Sequence, residues 1–246
     1  AELIVPEEEI QQFRGKFPET PYVGNHYGSQ PNPRAAFAAM VTRMDKDVAA
    51  IVEALKANNL YENTIIVFTS DNGTHLEGGH DPEYFDSNGP FRGYKRDMYD
   101  GGIRTPFIVH WPAGIQPGKV SYHVSAFWDF LPTVCDLLGE PVPVDVDGIS
   151  YLPELTGKGE QSRHGYLYWE FHEQGGKQAV LKDNWKLIRL FVNEPDKTKF
   201  ELYNLSSDPG ELLDVSGQYP EEVMKLQHLL DEAHISSDVF PYSSEM

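Results

Sequence analysis

Two patterns of apolar residues divide the chain into helix-like and strand-like stretches. An apolar stripe with spacings of three and four begins after Asn32 and Pro33 and ends near Asn58, which predicts a long amphipathic helix. Two apolar, β-branched runs, 64–70 and 105–111, predict strands buried on both faces. Helix, strand, long loop and strand are typical of α/β organisation, and we expect the helix to pack on a parallel sheet.

The last third of the chain changes to the period of two that is typical of strands. The runs are 165–171, 178–181, 185–191 and 200–203, with turn signals such as Asp183-Asn184 between them. Pro220 then opens an amphipathic helix. We expect an antiparallel sheet with this helix on one face, so the predicted division is an α/β part over residues 1–160 and a small α+β subdomain over residues 161–246.

The loop between the first two predicted strands is the main candidate for a functional site. It runs from Asp71 to Arg104, is dense in Gly, Asp, Asn, His and basic residues, and contains five Tyr or Phe residues. Connections of this length in a compact domain are usually either functional or disordered. So many aromatic residues argue against disorder.

The start of this loop has the chemistry of a metal site. Asp71 and Asn72 follow directly on the carboxyl end of a predicted strand, where ligands bind in open α/β sheets. Carboxylate and amide oxygens suit a hard cation such as Ca²⁺ or Mg²⁺. A tight turn at Asp-Asn-Gly is the structural alternative, because Gly73 tolerates positive φ. Zinc bound by Asp71, His75 and His80 is a further alternative that uses acceptable ligand types.

The charge distribution indicates an anion-binding site in an acidic protein. The formal net charge is −18, which opposes nucleic-acid binding, yet the loop concentrates Arg92, Lys95, Arg96 and Arg104. An ammonium such as that of Lys95 acts as a point charge on an anionic group. No apolar run is long enough to span a bilayer. The single cysteine, Cys135, lies in an apolar stretch and is assigned to packing.

Several motifs together resemble the C-terminal half of a type I sulfatase of the alkaline-phosphatase superfamily. They are SDNG at 70–73, NGPFRGYK at 88–95, YDGGIRTPFIVHWP at 99–112, SAFWDFLPTVCDLLG at 125–139, DGISYLPELTG at 147–157, YWEFHEQGGKQAV at 168–180 and ELYNLSSDPGE at 201–211. Asp100 stands where that family more often has Glu. The resemblance implies a partial alkaline-phosphatase-like α/β core followed by the family's small C-terminal subdomain.

Roles for individual residues follow from the resemblance. It implies that Asp71 and Asn72 are ligands of a divalent cation, usually Ca²⁺, and that Lys95 contacts a sulfate oxygen. His75 is a candidate to face the substrate. The candidate substrate contacts, in the basic loop and in the polar segment after the strand at 165–171, are Arg92, His172 and Glu173.

The resemblance also implies an activity that these residues alone do not complete. The family's nucleophile is a formylglycine made in a Cys-x-Pro-x-Arg or Ser-x-Pro-x-Arg motif, and the 246 residues contain neither. We therefore expect a hydrolase of sulfuric esters in a longer, periplasmic or secreted protein that acts on a sulfated small molecule or sulfated glycan. The alternatives are a phosphodiesterase or phosphatase of the same superfamily, and a non-catalytic binding fragment.

Overall fold

The computed structural model describes residues 2–24 and 26–246 as helices and two antiparallel sheets. The helices are α1 (Glu7–Ile10), α2 (Pro33–Ala57), α3 (Pro82–Phe85), α4 (Asp100–Ile103), α5 (Phe130–Leu138), α6 (Leu152–Thr156) and α7 (Pro220–Ala233). The strands are β1 (Ile66–Thr69), β2 (Phe107–His110), β3 (Leu167–Phe171), β4 (Lys177–Lys182), β5 (Trp185–Leu190) and β6 (Lys199–Asn204). None of the helices in these ranges combines the length and the hydrophobicity needed to cross a lipid bilayer.

The first two strands form a pair whose direction differs from the prediction. β1 and β2 are antiparallel, with Ile66 opposite His110 and Thr69 opposite Phe107, so the expected parallel arrangement is wrong. A long connection permits either direction, which is why the sequence did not determine it. The expectation of strands buried on both faces also fails, because three of the four residues of β2 are exposed and those of β1 are only half-buried.

The long predicted helix is confirmed, but its buried residues pack on the N-terminal segment rather than on a sheet. Ala35, Ala36 and Ala39, in its first two turns, form a cluster with Leu3 and Ile10. Farther along the predicted apolar stripe the side chains are exposed, as at Val41, Met44 and Ile51. Only the N-terminal end of α2 therefore contributes to a core among the described residues.

The predicted antiparallel sheet is confirmed and has an apolar layer on each face. Its strand order is β3-β4-β5-β6. On one face, Leu226 and Leu230 of α7 pack with buried residues of the three last strands, Val180, Leu187 and Leu202. On the opposite face, Ala179, Ile188 and Tyr203 pack with Met98 of the long loop. The sheet thus lies between α7 and the loop that carries the candidate site.

The second half of the long loop is folded tightly on its own backbone. A Cβ atom at Gly73 would lie 1.8 Å from the carbonyl oxygen of Gly101, and one at Gly102 would lie 2.3 Å from that of Asp97. The amide of Gly73 donates to the carbonyl of Gly102 at 2.9 Å. At Gly101 the close neighbours of a Cβ would likewise be backbone carbonyls of the same loop, those of Gly93 and Arg92.

A C-terminal clasp, formed by residues 234–246, closes over the edge of the sheet. His234 lies between two carboxylates, with Nδ1 2.8 Å from Oε2 of Glu170 and Nε2 2.7 Å from Oε1 of Glu245. Tyr242 donates its hydroxyl to the carbonyl of Lys177 at 2.8 Å. Because an ionised carboxylate only accepts hydrogen bonds, both ring nitrogens of His234 donate when the imidazole is protonated.

The pKa of His234 follows from this arrangement. Burial alone would lower it, but the hydrogen bonds to Glu245 and Glu170 outweigh burial and raise the pKa above its ordinary value. A raised pKa in the folded state contributes stability below the unfolded pKa, and that stability is lost as pH rises through the folded pKa. The clasp is therefore held most firmly on the acidic side of neutrality, down to the pH at which its carboxylates protonate.

We expect Gly102→Ala to destabilise the full-length protein by roughly 1–3 kcal/mol, because the added methyl would overlap the carbonyls of Asp97 and Tyr94. Thermal unfolding measures the change. Gly217→Ala is the matched control, since a Cβ at Gly217 meets no atom within 4 Å. Equal melting temperatures for the two variants would contradict the tight packing.

We expect His234→Gln to lower the melting temperature of the full-length protein at about pH 6, with the difference from wild type shrinking towards about pH 9. The control is His228→Gln, which changes an exposed histidine of α7 that pairs with Glu232 at 3.1 Å. A difference that grows with rising pH would show that the clasp does not depend on the imidazolium form.

Candidate active site

Three residues predicted from the sequence line one cavity. Asp71, Asn72 and Lys95 border a cavity of about 680 Å³, which also reaches Glu173 beyond the end of β3. The loop after β1 forms one side of it, and the antiparallel sheet forms another through Trp169. The structure therefore places the metal-type oxygens and the ammonium on a single concave surface.

The side-chain oxygens of Asp71 and Asn72 are not engaged by other groups among the described residues. Among the described residues, no hydrogen bond or ion pair engages the carboxylate of Asp71. The side-chain nitrogen of Asn72 donates to the carbonyl of Gly73 at 2.9 Å. The side-chain oxygen of Asn72 takes no part in this hydrogen bond. Both side chains therefore offer oxygen atoms, which are the ligands that a hard cation such as Ca²⁺ or Mg²⁺ prefers.

The backbone of Lys95 is hydrogen-bonded to the segment that follows Asp71 and Asn72, and its side chain lies near an acidic partner. Its amide donates to the carbonyl of Thr74 at 2.7 Å. Its ammonium nitrogen lies 3.5 Å from Oε2 of Glu77, and Oε1 of the same carboxylate lies 2.6 Å from a guanidinium nitrogen of Arg96. Glu77 is thus the counter-ion of the two cations that border the cavity.

The turn that carries Lys95 is held from the sheet side. Arg96 has φ of 82°, in the left-handed region that a residue with a side chain rarely adopts. Lys177 of β4 donates to the carbonyl of Arg96 at 2.9 Å and to Oδ1 of Asp97 at 3.0 Å. A strained backbone of this kind persists only where the surroundings over-determine it, and it is often found at functional sites.

Aromatic side chains form much of the remaining wall. Trp128, in the 3₁₀ turn just before α5, and Trp169 of β3 have ring centroids 5.7 Å apart at an interplanar angle of 53°. Phe127 and Phe171 extend the same apolar surface. The cavity therefore combines a charged end, with Asp71, and a broad aromatic wall that can receive a ring system.

The two loop histidines do not form the zinc site that was considered as an alternative. Burial lowers the pKa of His75, whose Nδ1 accepts the amide hydrogen of Glu77 at 3.1 Å. Burial lowers the pKa of His80 to about 4, and its ring stacks on Phe37 of α2 at 3.8 Å. No group of three or more His, Cys, Asp or Glu side chains in the described ranges could hold a metal ion, so the zinc alternative is not formed.

Two further predicted contacts lie away from this cavity. Arg92 donates to the hydroxyl of Tyr203 at 2.9 Å and to the carbonyl of Glu211 at 3.0 Å, so it joins the loop to the C-terminal subdomain. His172 stacks on the ring of Tyr242 of the clasp at 4.0 Å, and its Nε2 lies 2.9 Å from Oε1 of Glu170. Both side chains are engaged by protein groups in the described structure.

Some residues at the site were not assigned by sequence reasoning. Glu77 and the aromatic wall have no feature in the sequence that indicates a functional role. An acidic residue in a loop and aromatic residues in apolar stretches are common in any protein. Arg96 belonged to the basic cluster but was not distinguished from its neighbours. Lys177 follows two consecutive glycines, Gly175 and Gly176, which take positive φ of 90° and 76° and mark an unusual turn. That turn was the available signal.

Comparison with known proteins supports one family along most of the chain. The family model described as Sulfatase matches residues 6–140, and the model described as N-sulphoglucosamine sulphohydrolase, C-terminal, matches residues 89–236. The N-acetylgalactosamine-6-O-sulfatase of Bacteroides thetaiotaomicron is 32% identical over 236 residues, which cover 84% of this chain and 44% of that protein. Human arylsulfatase A is 30% identical over 228 residues, covering 80% of this chain and 43% of that protein.

Comparison with solved structures supports the same family. The crystal structure of Ps i-CgsB in complex with k-i-k-neocarrahexaose matches with a TM-score of 0.74 and 27% identity, over 95% of this chain and 47% of that chain. The structure of BT4656 in complex with its substrate D-glucosamine-2-N,6-O-disulfate matches with a TM-score of 0.67 and 27% identity, over 82% of this chain and 40% of that chain. The chain thus spans less than half the length of each of these four relatives.

These matches confirm the predicted α/β, partial alkaline-phosphatase-like fold with its antiparallel C-terminal part. The Sulfatase model alone covers more than half of the 246 residues, and the matched range includes Asp71, Asn72 and Lys95. The chain belongs to the sulfatase family.

Proposed function

We propose that this chain is the C-terminal part of an enzyme that hydrolyses sulfuric esters, and that the cavity of Asp71, Asn72 and Lys95 is its share of the active site. The observation that carries the proposal is the shared cavity, which Asp71, Asn72 and Lys95 line together. Such a set suits a sulfate group, whose charge develops further on the oxygens during bond cleavage.

Asp71 and Asn72 would hold a divalent cation, which by family membership is expected to be Ca²⁺. The donor types fit, but two oxygens are fewer than the six to eight that calcium takes. The remaining ligands would come from polypeptide outside these residues. The cation would supply electrostatic stabilisation of negative charge.

Lys95 would neutralise charge on a sulfate oxygen. Its side chain is about a third exposed, and its 3.5 Å distance from Glu77 is long for a hydrogen bond, so the ammonium can also engage an anion. The backbone bond to Thr74 fixes the start of the side chain relative to Asp71 and Asn72. A positive charge held in this way before substrate arrives would meet the condition for preorganised stabilisation.

The other candidate residues receive different roles in the proposal. Glu173 lines the cavity and is kept as a substrate contact. His75 receives the amide hydrogen of Glu77 and so supports the counter-ion of Lys95, a positioning role rather than direct contact with the ester. Arg92 and His172 receive structural roles, at the joint between the two parts and in the clasp.

The substrate proposed is a sulfated glycan or a sulfated small molecule. Two related structures are described with carbohydrate ligands, and D-glucosamine-2-N,6-O-disulfate is a substrate of one of them. The aromatic wall of Trp128 and Trp169 suits a ring beside the ester. A periplasmic or secreted location belongs to the same proposal, as does the formylglycine nucleophile, which these residues do not encode in either motif.

A phosphatase or phosphodiesterase is the second candidate function. Phosphonate monoester hydrolases share the fold with TM-scores of 0.61 and 0.63, but at 22% identity they show the fold alone. Rates of the full-length protein on an aryl sulfate and on the matching aryl phosphate separate the candidates. Faster hydrolysis of the phosphate would reject the sulfatase proposal, and turnover of neither would favour a binding role.

We expect Lys95→Ala to lower kcat for aryl sulfate hydrolysis by about a hundredfold or more in the full-length protein, because one preorganised charge contact is lost. The control is Lys46→Ala, on an exposed part of α2. Steady-state kinetics with matched melting temperatures check the result. Less than a threefold loss of kcat would remove Lys95 from the site.

We expect Asp71→Asn to abolish most of the rise in melting temperature that calcium chloride gives the full-length protein over EDTA. A ligand that binds only the folded state raises its stability, and losing an anionic ligand weakens that binding. Asp145→Asn, an exposed aspartate, is the control. A full calcium response in Asp71→Asn would place the metal elsewhere.

A further inference from the structure

A buried lysine joins the candidate site to the C-terminal subdomain. Lys186 of β5 is fully buried, with its ammonium nitrogen 2.7 Å from Oδ1 of Asp100 and 2.8 Å from Oε1 of Glu211. Arg104 lies 3.3 Å from the other oxygen of Asp100. Two cations and two carboxylates therefore balance one another at the junction.

Burying these charges costs desolvation free energy, which argues that the cluster does more than add stability. Burial raises the pKa of Glu211 even though the ammonium of Lys186 opposes the change. Buried ion pairs often stabilise no better than apolar residues of the same volume, and their best-attested use is to fix one arrangement among several. The arrangement fixed here is that of Asp100, at the start of α4.

From Asp100 a short series of backbone contacts reaches the proposed active-site groups. Its own amide donates to Oε2 of Glu211 at 2.6 Å. The amide of the next residue, Gly101, donates to the carbonyl of Arg92 at 2.7 Å, which closes the turn that carries Lys95. The carbonyl of Gly102 accepts the amide of Gly73, beside the metal-type pair.

These contacts leave little freedom between Lys186 and the cavity. Gly73, Gly101 and Gly102 pack so closely on backbone carbonyls of the same loop that a Cβ at any of them would overlap one. A displacement of Asp100 is therefore passed to both Lys95 and the Asp71-Asn72 segment. Lys186 itself does not line the cavity, so it acts on the site only through these intermediates.

We propose that Lys186 is a positioning residue: through Asp100 and Glu211 it sets the separation between the Lys95 ammonium and the Asp71-Asn72 oxygens. The kinetic part of this proposal rests on the proposed sulfatase function. The structural part concerns only how rigidly residues 71–75 and 92–103 are held, and it can be tested without an activity measurement.

The experiment uses the full-length protein and a neutral version of the cluster. Lys186→Met alone leaves two buried carboxylates poorly paired and can prevent folding. The triple variant Lys186→Met/Asp100→Asn/Glu211→Gln keeps the approximate volumes and removes that problem. Lys182→Met, an exposed lysine at the end of β4, is the control.

Hydrogen exchange measured by mass spectrometry gives the first result. We expect the triple variant to speed exchange by about tenfold in peptides covering residues 71–75 and 92–103, where the Gly73, Lys95 and Gly101 amides are bonded, and to leave the α7 peptide unchanged. Lys182→Met should change neither. Unchanged exchange in both loop peptides, or equal acceleration throughout the protein, would overturn the positioning role.

Kinetics give the second result through a double-mutant cycle with Lys95→Ala. If Lys186 acts by positioning Lys95, the triple variant lowers kcat by about tenfold with Lys95 present but by little in the Lys95→Ala background. Fully additive losses would overturn that coupling. If the wild-type protein lacks sulfatase activity, the proposed function fails and the exchange result alone decides the role of Lys186.

Discussion

The constraint on which the rest of this structure depends is the burial of one ammonium group. Lys186 has no access to water, so two carboxylates from distant parts of the chain must meet it. Asp100 belongs to the site loop and Glu211 to the segment after β6. Satisfying Lys186 therefore fixes the loop on the sheet, and a misplaced subdomain would leave charges buried without partners, which is strongly unfavourable.

The site takes its order from close backbone packing and from a side-chain contact with the sheet. Glycines allow residues 71–73 and 101–102 to touch backbone to backbone, and Lys177 supports the strained turn at Arg96. The proposed charged groups then project from a rigid frame. A frame of this kind reduces the reorganisation needed when charge develops on a bound anion, which is how electrostatic stabilisation becomes effective.

The sequence predicted the parts of this architecture that have a local signature. Period-two runs gave the C-terminal sheet, the stripe after Pro220 gave α7, and the strand end before Asp71 drew attention to the site loop. The direction of β2 relative to β1 was missed because a long loop fixes no direction. The role of Lys186 was missed because a lysine in an alternating strand usually faces water, and only tertiary contact shows it buried. For charged residues in a loop, such as Arg92, sequence does not reveal whether the partner is a ligand or another segment of protein.

The sequence separation within the Lys186 cluster has a consequence for biosynthesis. Asp100 lies 86 residues before Lys186 and 111 residues before Glu211, so ribosomes complete the loop well before its partners exist. Until β6 and Glu211 have emerged, Met98 lacks part of the sheet that it packs on and Asp100 lacks one of its partners, so the loop is not yet held in this conformation. Maturation of the cavity is therefore delayed until the C-terminal sheet folds. Chains interrupted before that point would leave the loop exposed and open to proteolysis.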